Sequence, residues 1–137
     1  MPLLIPNVGE VVCLTNLLNG GTLENWTLKL FKSNTTPAEG DTAATYTECD
    51  FSGYSAKTLT RSVGGSTWST PTTSAGTTSS SYPAQTFTSS DATSQIIYGY
   101  FYVGATSGTL ILAERFDTPR TIVSPDTFTF TPRIELA

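Results

Sequence analysis

The sequence predicts an all-β fold, an antiparallel sandwich or jelly-roll-like barrel carrying one short N-terminal helix. Three observations lead there. Serine and threonine make up roughly 30% of the 137 residues while charged residues make up only 13%, and threonine packs well on a pleated surface. Several stretches alternate apolar and polar residues with period two, the strand period; DTFTFTPRIEL (126–136) does so most cleanly. Turn signals built on Gly, Pro, Asn and Ser separate about eight such stretches, with no internal repeat and no linker, so residues 1–137 read as a single β domain.

The first element is the exception to period two. In VGEVVCLTNLLN (8–19), Val8, Val11, Val12 and Leu18 recur at helical spacing and Leu14 and Leu17 widen the stripe, which predicts a short amphipathic helix. Asn7 can cap it with Glu10 three residues on, and Gly20-Gly21 stop it. From Glu24 to about Lys32 the period changes to two: Trp26, Leu28 and Leu30 alternate with Thr27, Lys29 and Phe31. Residues 33–41 form a loop, and Pro37–Ala44 can hold one helical turn. TYTECDFSGYSAKTLTR (45–61) predicts one or two strands around a bend at Gly53. Residues 62–81 are rich in Ser and Thr, and no charge occurs between Arg61 and Asp91; disordered segments are usually highly charged, so a hairpin or long loop docked through Trp68 is expected. YPAQTFT (82–88) is a short strand. Ile96–Gly104 and Thr109–Phe116 pair as a hairpin across Ala105-Thr106-Ser107-Gly108, with Gly where a left-handed residue is needed. In the last strand Phe128, Phe130, Ile134 and Leu136 face inward, and Pro132, which cannot donate to a ladder, implies an edge or a bulge.

Composition also excludes function classes. Seven Lys+Arg against eleven Asp+Glu give a net charge of −4, and the basic residues are scattered, which argues against nucleic acid as a partner. MPLLIP has neither a basic n-region nor the apolar run of a signal or anchor, so no membrane association is expected, and the chain is read as made in a cytoplasm and leaving the general secretory route unused. Cys13 and Cys49 are too few for a disulfide framework and read as two free, mostly buried thiols.

The chain contains no histidine, which removes the usual general base, the usual zinc ligand and every Ser-His arrangement. Gly20-Gly21 and Gly64-Gly65 lack the lysine and the strand–helix context of a phosphate loop. Glu48 and Asp50 share a face of an extended segment and are the nearest approach to the carboxylate pair of a glycosidase, but they read better as solvated carboxylates. A calcium site from Asp41, Glu48, Asp50 or Asp126 lacks the spacing of a known loop. No catalytic residue, cofactor or metal is assigned.

The most informative stretch is QIIYGYFYVG (95–104). Tyr98, Tyr100 and Tyr102 fall on one face of an extended chain, with Ile97, Phe101 and Val103 on the other, so both faces are apolar or aromatic. A small domain usually wets one face of such a strand. Tyrosine buries apolar area and keeps a hydroxyl for bonding, which suits a subunit interface; cover by residues 62–81 or by the helix is the intramolecular alternative. Glu114 and Arg115, adjacent on a strand, point to opposite faces and each pairs with a neighbouring strand or subunit. Tyr98, Tyr100, Tyr102, Glu114, Arg115 and Trp68 are therefore the candidate interface residues.

LKLFKSN (28–34), TPAEGDTAATYTECDFSGYSAKTL (36–59), Trp68, YGYFYV (98–103), AERF (113–116) and DTFTFTP (126–132), in that order and behind a helix, resemble one family: the small virion structural proteins of tailed bacteriophages. The resemblance implies a capsid decoration, or cement, protein on the outside of an icosahedral shell, with the major capsid protein as partner, a homo-oligomer (dimer or trimer), and no catalytic residues. The rival reading is a tail-fibre, spike or head–tail module that binds a host glycan by stacking sugar rings on an exposed Trp68; Trp26 reads as core.

Overall fold

In the computed structural model residues 3–19 and 23–136 are described; Gly20 and Gly21, expected to stop the helix, lie outside them. The elements are α1 (Asn7–Asn19), β1 (Trp26–Phe31), a 3-10 turn (Ala43–Thr45), β2 (Lys57–Leu59), β3 (Thr72–Ser74), β4 (Thr77–Ser81), β5 (Gln85–Thr88), β6 (Gln95–Gly104), β7 (Leu110–Ile122), β8 (Thr127–Phe130) and β9 (Arg133–Leu136). Every ladder between these strands is antiparallel, and the protein is the expected all-β sandwich with a short N-terminal helix.

One layer is the sheet β2-β1-β6-β7. Its centre is the pairing of β1 with β6, from Trp26 opposite Gly104 to Phe31 opposite Gly99. The other layer is a ribbon made of β3-β4-β9 and β5-β8. These two ladders follow one another along the same pair of chain segments. They meet at Tyr82 and Pro132, where the Tyr82 N–H donates to the Pro132 carbonyl at 2.8 Å. Pro132 has no N–H to contribute, so the stretch 126–136 is two strands and not one, handing its pairing from β5 to β4. Phe128, Phe130 and Ile134 pack on the core as expected, whereas Leu136 lies mostly in solvent.

The core between the layers holds Leu28, Leu30, Ile97, Tyr100, Tyr102 and Leu112 from the first sheet, met by Tyr82 and Phe87 from the second. A second, smaller cluster covers the opposite face of the first sheet: Phe31, Phe101, Val103, Leu110 and Ala113 pack with Tyr46, next to the 3-10 turn. The first sheet is thus buried on both faces within one chain.

Residues 45–61 contain less strand than expected. Glu48 makes one bridge to Phe31, Gly53 turns the chain at φ +90°, and local groups satisfy the backbone there: the Asp50 N–H donates to Gln95 Oε1 at 3.1 Å and the Tyr54 N–H to the Phe51 carbonyl at 2.9 Å. Residues 62–81 do form a hairpin, β3–β4, on a two-residue loop in which both Ala75 (φ +49°) and Gly76 (φ +82°) are left-handed, the geometry that matches strand twist. The outer edge of β7 is covered by the N-terminal segment, with Leu4 and Ala113 exchanging backbone hydrogen bonds of 3.0 and 2.9 Å.

Candidate functional site

The sequence-derived candidates come apart into two groups, and irregularities in the β6–β7 ladder are the cause. The register shifts between Ile97 and Gly99, and the resulting bulge leaves Ile97, Tyr100 and Tyr102 in the inter-sheet core while Tyr98 packs with Phe101 and Val103 on the opposite face. The expectation that the three tyrosines share a face is corrected by this bulge, since one extra residue reverses every side chain after it. Gly99 makes the bulge possible: a Cβ there would fall 2.5 Å from the Phe31 ring.

Tyr100 and Tyr102 are 5% and 0% exposed. They are covered within the chain by the second sheet and by Trp68 of residues 62–81: the Phe130 ring lies 4.8 Å from that of Tyr100, and the Trp68 ring stands edge-on to that of Tyr102 at 6.4 Å. Tyr100 Oη donates to Glu114 Oε2 at 2.6 Å. Burial, reinforced by neighbouring Tyr102 and the Glu114 carboxylate, pushes the Tyr100 phenol well above the usual tyrosine range, so it acts as a donor and not as a base. The pair lines a cavity of about 330 Å³ with Leu3, Phe116, Thr131 and Arg133. Arg115 points to the other face, as adjacent strand residues must: its guanidinium sits 5.2 Å from the Tyr98 ring centre and Nη1 donates to the Thr35 carbonyl at 3.3 Å. Both members of Glu114-Arg115 thus have partners within the chain.

Trp68 is buried, 6% exposed, with its ring edge-on to Trp26 at 5.8 Å and to Tyr82 at 5.3 Å. The exposed sugar-stacking tryptophan that the glycan reading requires is therefore not Trp68. Trp26, half-buried, stacks 6.0 Å from Tyr102 beneath the Arg61 guanidinium. An apolar groove of about 330 Å³ opens beside the two indoles, lined also by Leu23, Val63, Ile134 and Leu136.

The carboxylates considered for chemistry each have local partners. Glu48 accepts from Lys29 Nζ at 2.8 Å and from Tyr54 Oη at 2.9 Å, while Asp50 pairs with Lys32 at 2.5 Å and with Gln95 at 2.6 Å. Hydrogen bonds from Lys32 and Gln95 hold the Asp50 carboxyl below its ordinary range. Asp41 accepts from the Ala38 N–H and Tyr46 Oη, and Asp126 from the Val123 N–H. Among the described residues no three Cys, Asp or Glu side chains converge as metal ligands. Cys49 is buried and its thiol is pushed up to about 12 by that burial, but Cys13 is exposed on α1, which corrects the expectation of two buried thiols.

The surface that sequence reasoning missed is α1 itself. It begins one residue earlier than read, where the Asn7 N–H donates to the Glu39 carbonyl at 2.9 Å. Gly9 is buried against β7, where a Cβ would collide with the Ile111 carbonyl, and Val12 and Asn16 lie on the same, partly buried side. The apolar stripe therefore faces outward: Val11, Leu14, Leu17 and Leu18 are 65%, 56%, 79% and 72% exposed. The signal was present in the 3–4 spacing of Gly9, Val12 and Asn16, with glycine marking a close approach. The more apolar stripe on the other side outweighed it. No described helix is long and apolar enough to cross a membrane.

No protein-family model matches the chain, and no curated protein is similar to it.

Proposed function

We propose that this chain is a non-enzymatic structural protein of a tailed-phage virion, a capsid decoration or cement protein that binds the outer surface of an icosahedral shell and holds neighbouring capsomers together. The observation that carries this reading is where apolar surface is left uncovered. On a sandwich whose exterior is otherwise rich in Ser and Thr, large exposed apolar side chains gather around the groove rim, where Leu23, Val63 and Leu136 are each more than half exposed. Such surface marks binding to another macromolecule. The polar groups that could do chemistry are instead engaged pairwise in local bonds, so no catalytic step is assigned.

Cementing needs no chemistry. A shell filled with DNA separates at contacts between capsomers, and a small β protein bridging them adds burial that must be lost before the shell opens. Individually weak contacts sum through multivalency. The major capsid protein is the partner this role requires, and the virion surface is the location. Virions lacking the protein should release DNA at a lower temperature than complete virions; equal heat resistance would overturn the reading.

A further inference from the structure

We infer that α1 is a self-association surface, and that two copies of this chain pair through it as antiparallel helices. This rests on the fold and on none of the virion reading. Val11, Leu14 and Leu18 are spaced by three and four residues, the spacing of a helix–helix seam, and Leu17 and Val8 flank them. These five side chains are 36% to 79% exposed. Together they present on the order of 600 Å², at the top of the roughly 300–600 Å² of the largest apolar patch on a typical monomer and approaching the roughly 800 Å² that each partner contributes to a standard interface. A two-fold contact uses the same strip twice, so the apolar area of one chain meets its own match on the other.

Charge sets the direction. Glu10 is the one charged residue of α1. Parallel helices would place Glu10 against its own copy, whereas antiparallel helices crossing at Leu14 place it opposite Leu18 of the other chain and bring Val11 opposite Leu17. The antiparallel arrangement also aligns each helix N-terminus with the partner's C-terminus, which the helix dipoles favour. The close seat of Gly9 on the Ile111 carbonyl fixes which side of α1 is turned outward, so the seam is preset before the chains meet.

Sedimentation equilibrium on the full chain at tens of micromolar tests this directly. The expected mass is that of two chains. Leu14→Ser with Leu18→Ser, both at exposed positions, should raise the dissociation constant by at least about 100-fold while leaving the circular dichroism and melting temperature of the monomer unchanged. Cys13 lies on α1 at the edge of the strip, so a flexible bismaleimide should cross-link the wild-type pair and fail on Cys13→Ser. A wild-type chain that stays monomeric at this concentration overturns the proposal, and so does an association that survives the double substitution.

Discussion

Tyr100 and Glu114 stand opposite one another in the β6–β7 register and share a 2.6 Å hydrogen bond at the margin of the inter-sheet core. The bond ties the central strand to its neighbour beside a bulge, where the ladder itself is irregular. A phenol donating to a carboxylate is among the stronger neutral–ionic pairs. Tyr100→Phe keeps the ring and its contact with Phe130 but deletes the donor. It should cost about 1–2 kcal/mol and lower the melting temperature by roughly 4–8 °C. Glu114→Gln retains an acceptor and should cost less. Thermal melts of the two variants check the order, and a Tyr100→Phe protein as stable as wild type would contradict it.

Gly9 reverses the usual rule for glycine in a helix. Replacing it with alanine ordinarily stabilises a helix by about 1 kcal/mol, but here the new methyl meets the Ile111 backbone carbonyl, which cannot rotate away. Gly9→Ala should destabilise by about 1–3 kcal/mol, the range of overpacking. Urea denaturation gives the sign, and a stabilised variant would show that α1 does not sit on β7 as described.

Glu24 caps the β6–β7 turn by accepting from the Thr106 N–H at 2.6 Å, the Ser107 N–H at 2.9 Å and Ser107 Oγ at 2.6 Å. The Ser107 hydroxyl is the main cause of its lowered pKa, with the two backbone N–H groups adding to it. A carboxyl with a lowered folded pKa contributes stability above its unfolded value, about 4.3. That stability is lost as pH falls through the lower folded value. Glu24→Gln should therefore narrow the stability gap to wild type as the solution is acidified below about pH 4.3. Melts between pH 3 and 7 test this, and a gap that widens on acidification would contradict it.

The two thiols should separate cleanly. Cys49 is 3% exposed with its thiol pushed up to about 12, whereas Cys13 is exposed. A thiol reagent should titrate one group per native chain near pH 8 and two in guanidinium, because it is the thiolate that reacts. Two rapid equivalents in the native protein would contradict the burial of Cys49.

Fold class was legible because composition and period-two alternation are local signals, and β1, β6 and the β3–β4 hairpin follow them closely. What was not legible depended on pairing. The bulge at Tyr98 depends on how β7 aligns with β6, and alternation counted along β6 alone puts the three tyrosines on one face. The break at Pro132 was readable as a disturbance, but its consequence, a change of partner strand, follows from where β4 and β5 lie. Trp68 sits among serines and threonines in the sequence and among Trp26, Tyr82 and Tyr102 in the fold. The helix was found with nearly its true bounds, yet which side it turns inward was decided by Gly9 and not by hydrophobicity.

The proposed structural role on the shell is tested most directly by copy number in purified virions. Quantitative mass spectrometry of this polypeptide against the major capsid protein should find hundreds of copies, near a simple ratio to the shell protein. A count of a few to a few tens would contradict the account and move the protein to the tail or neck.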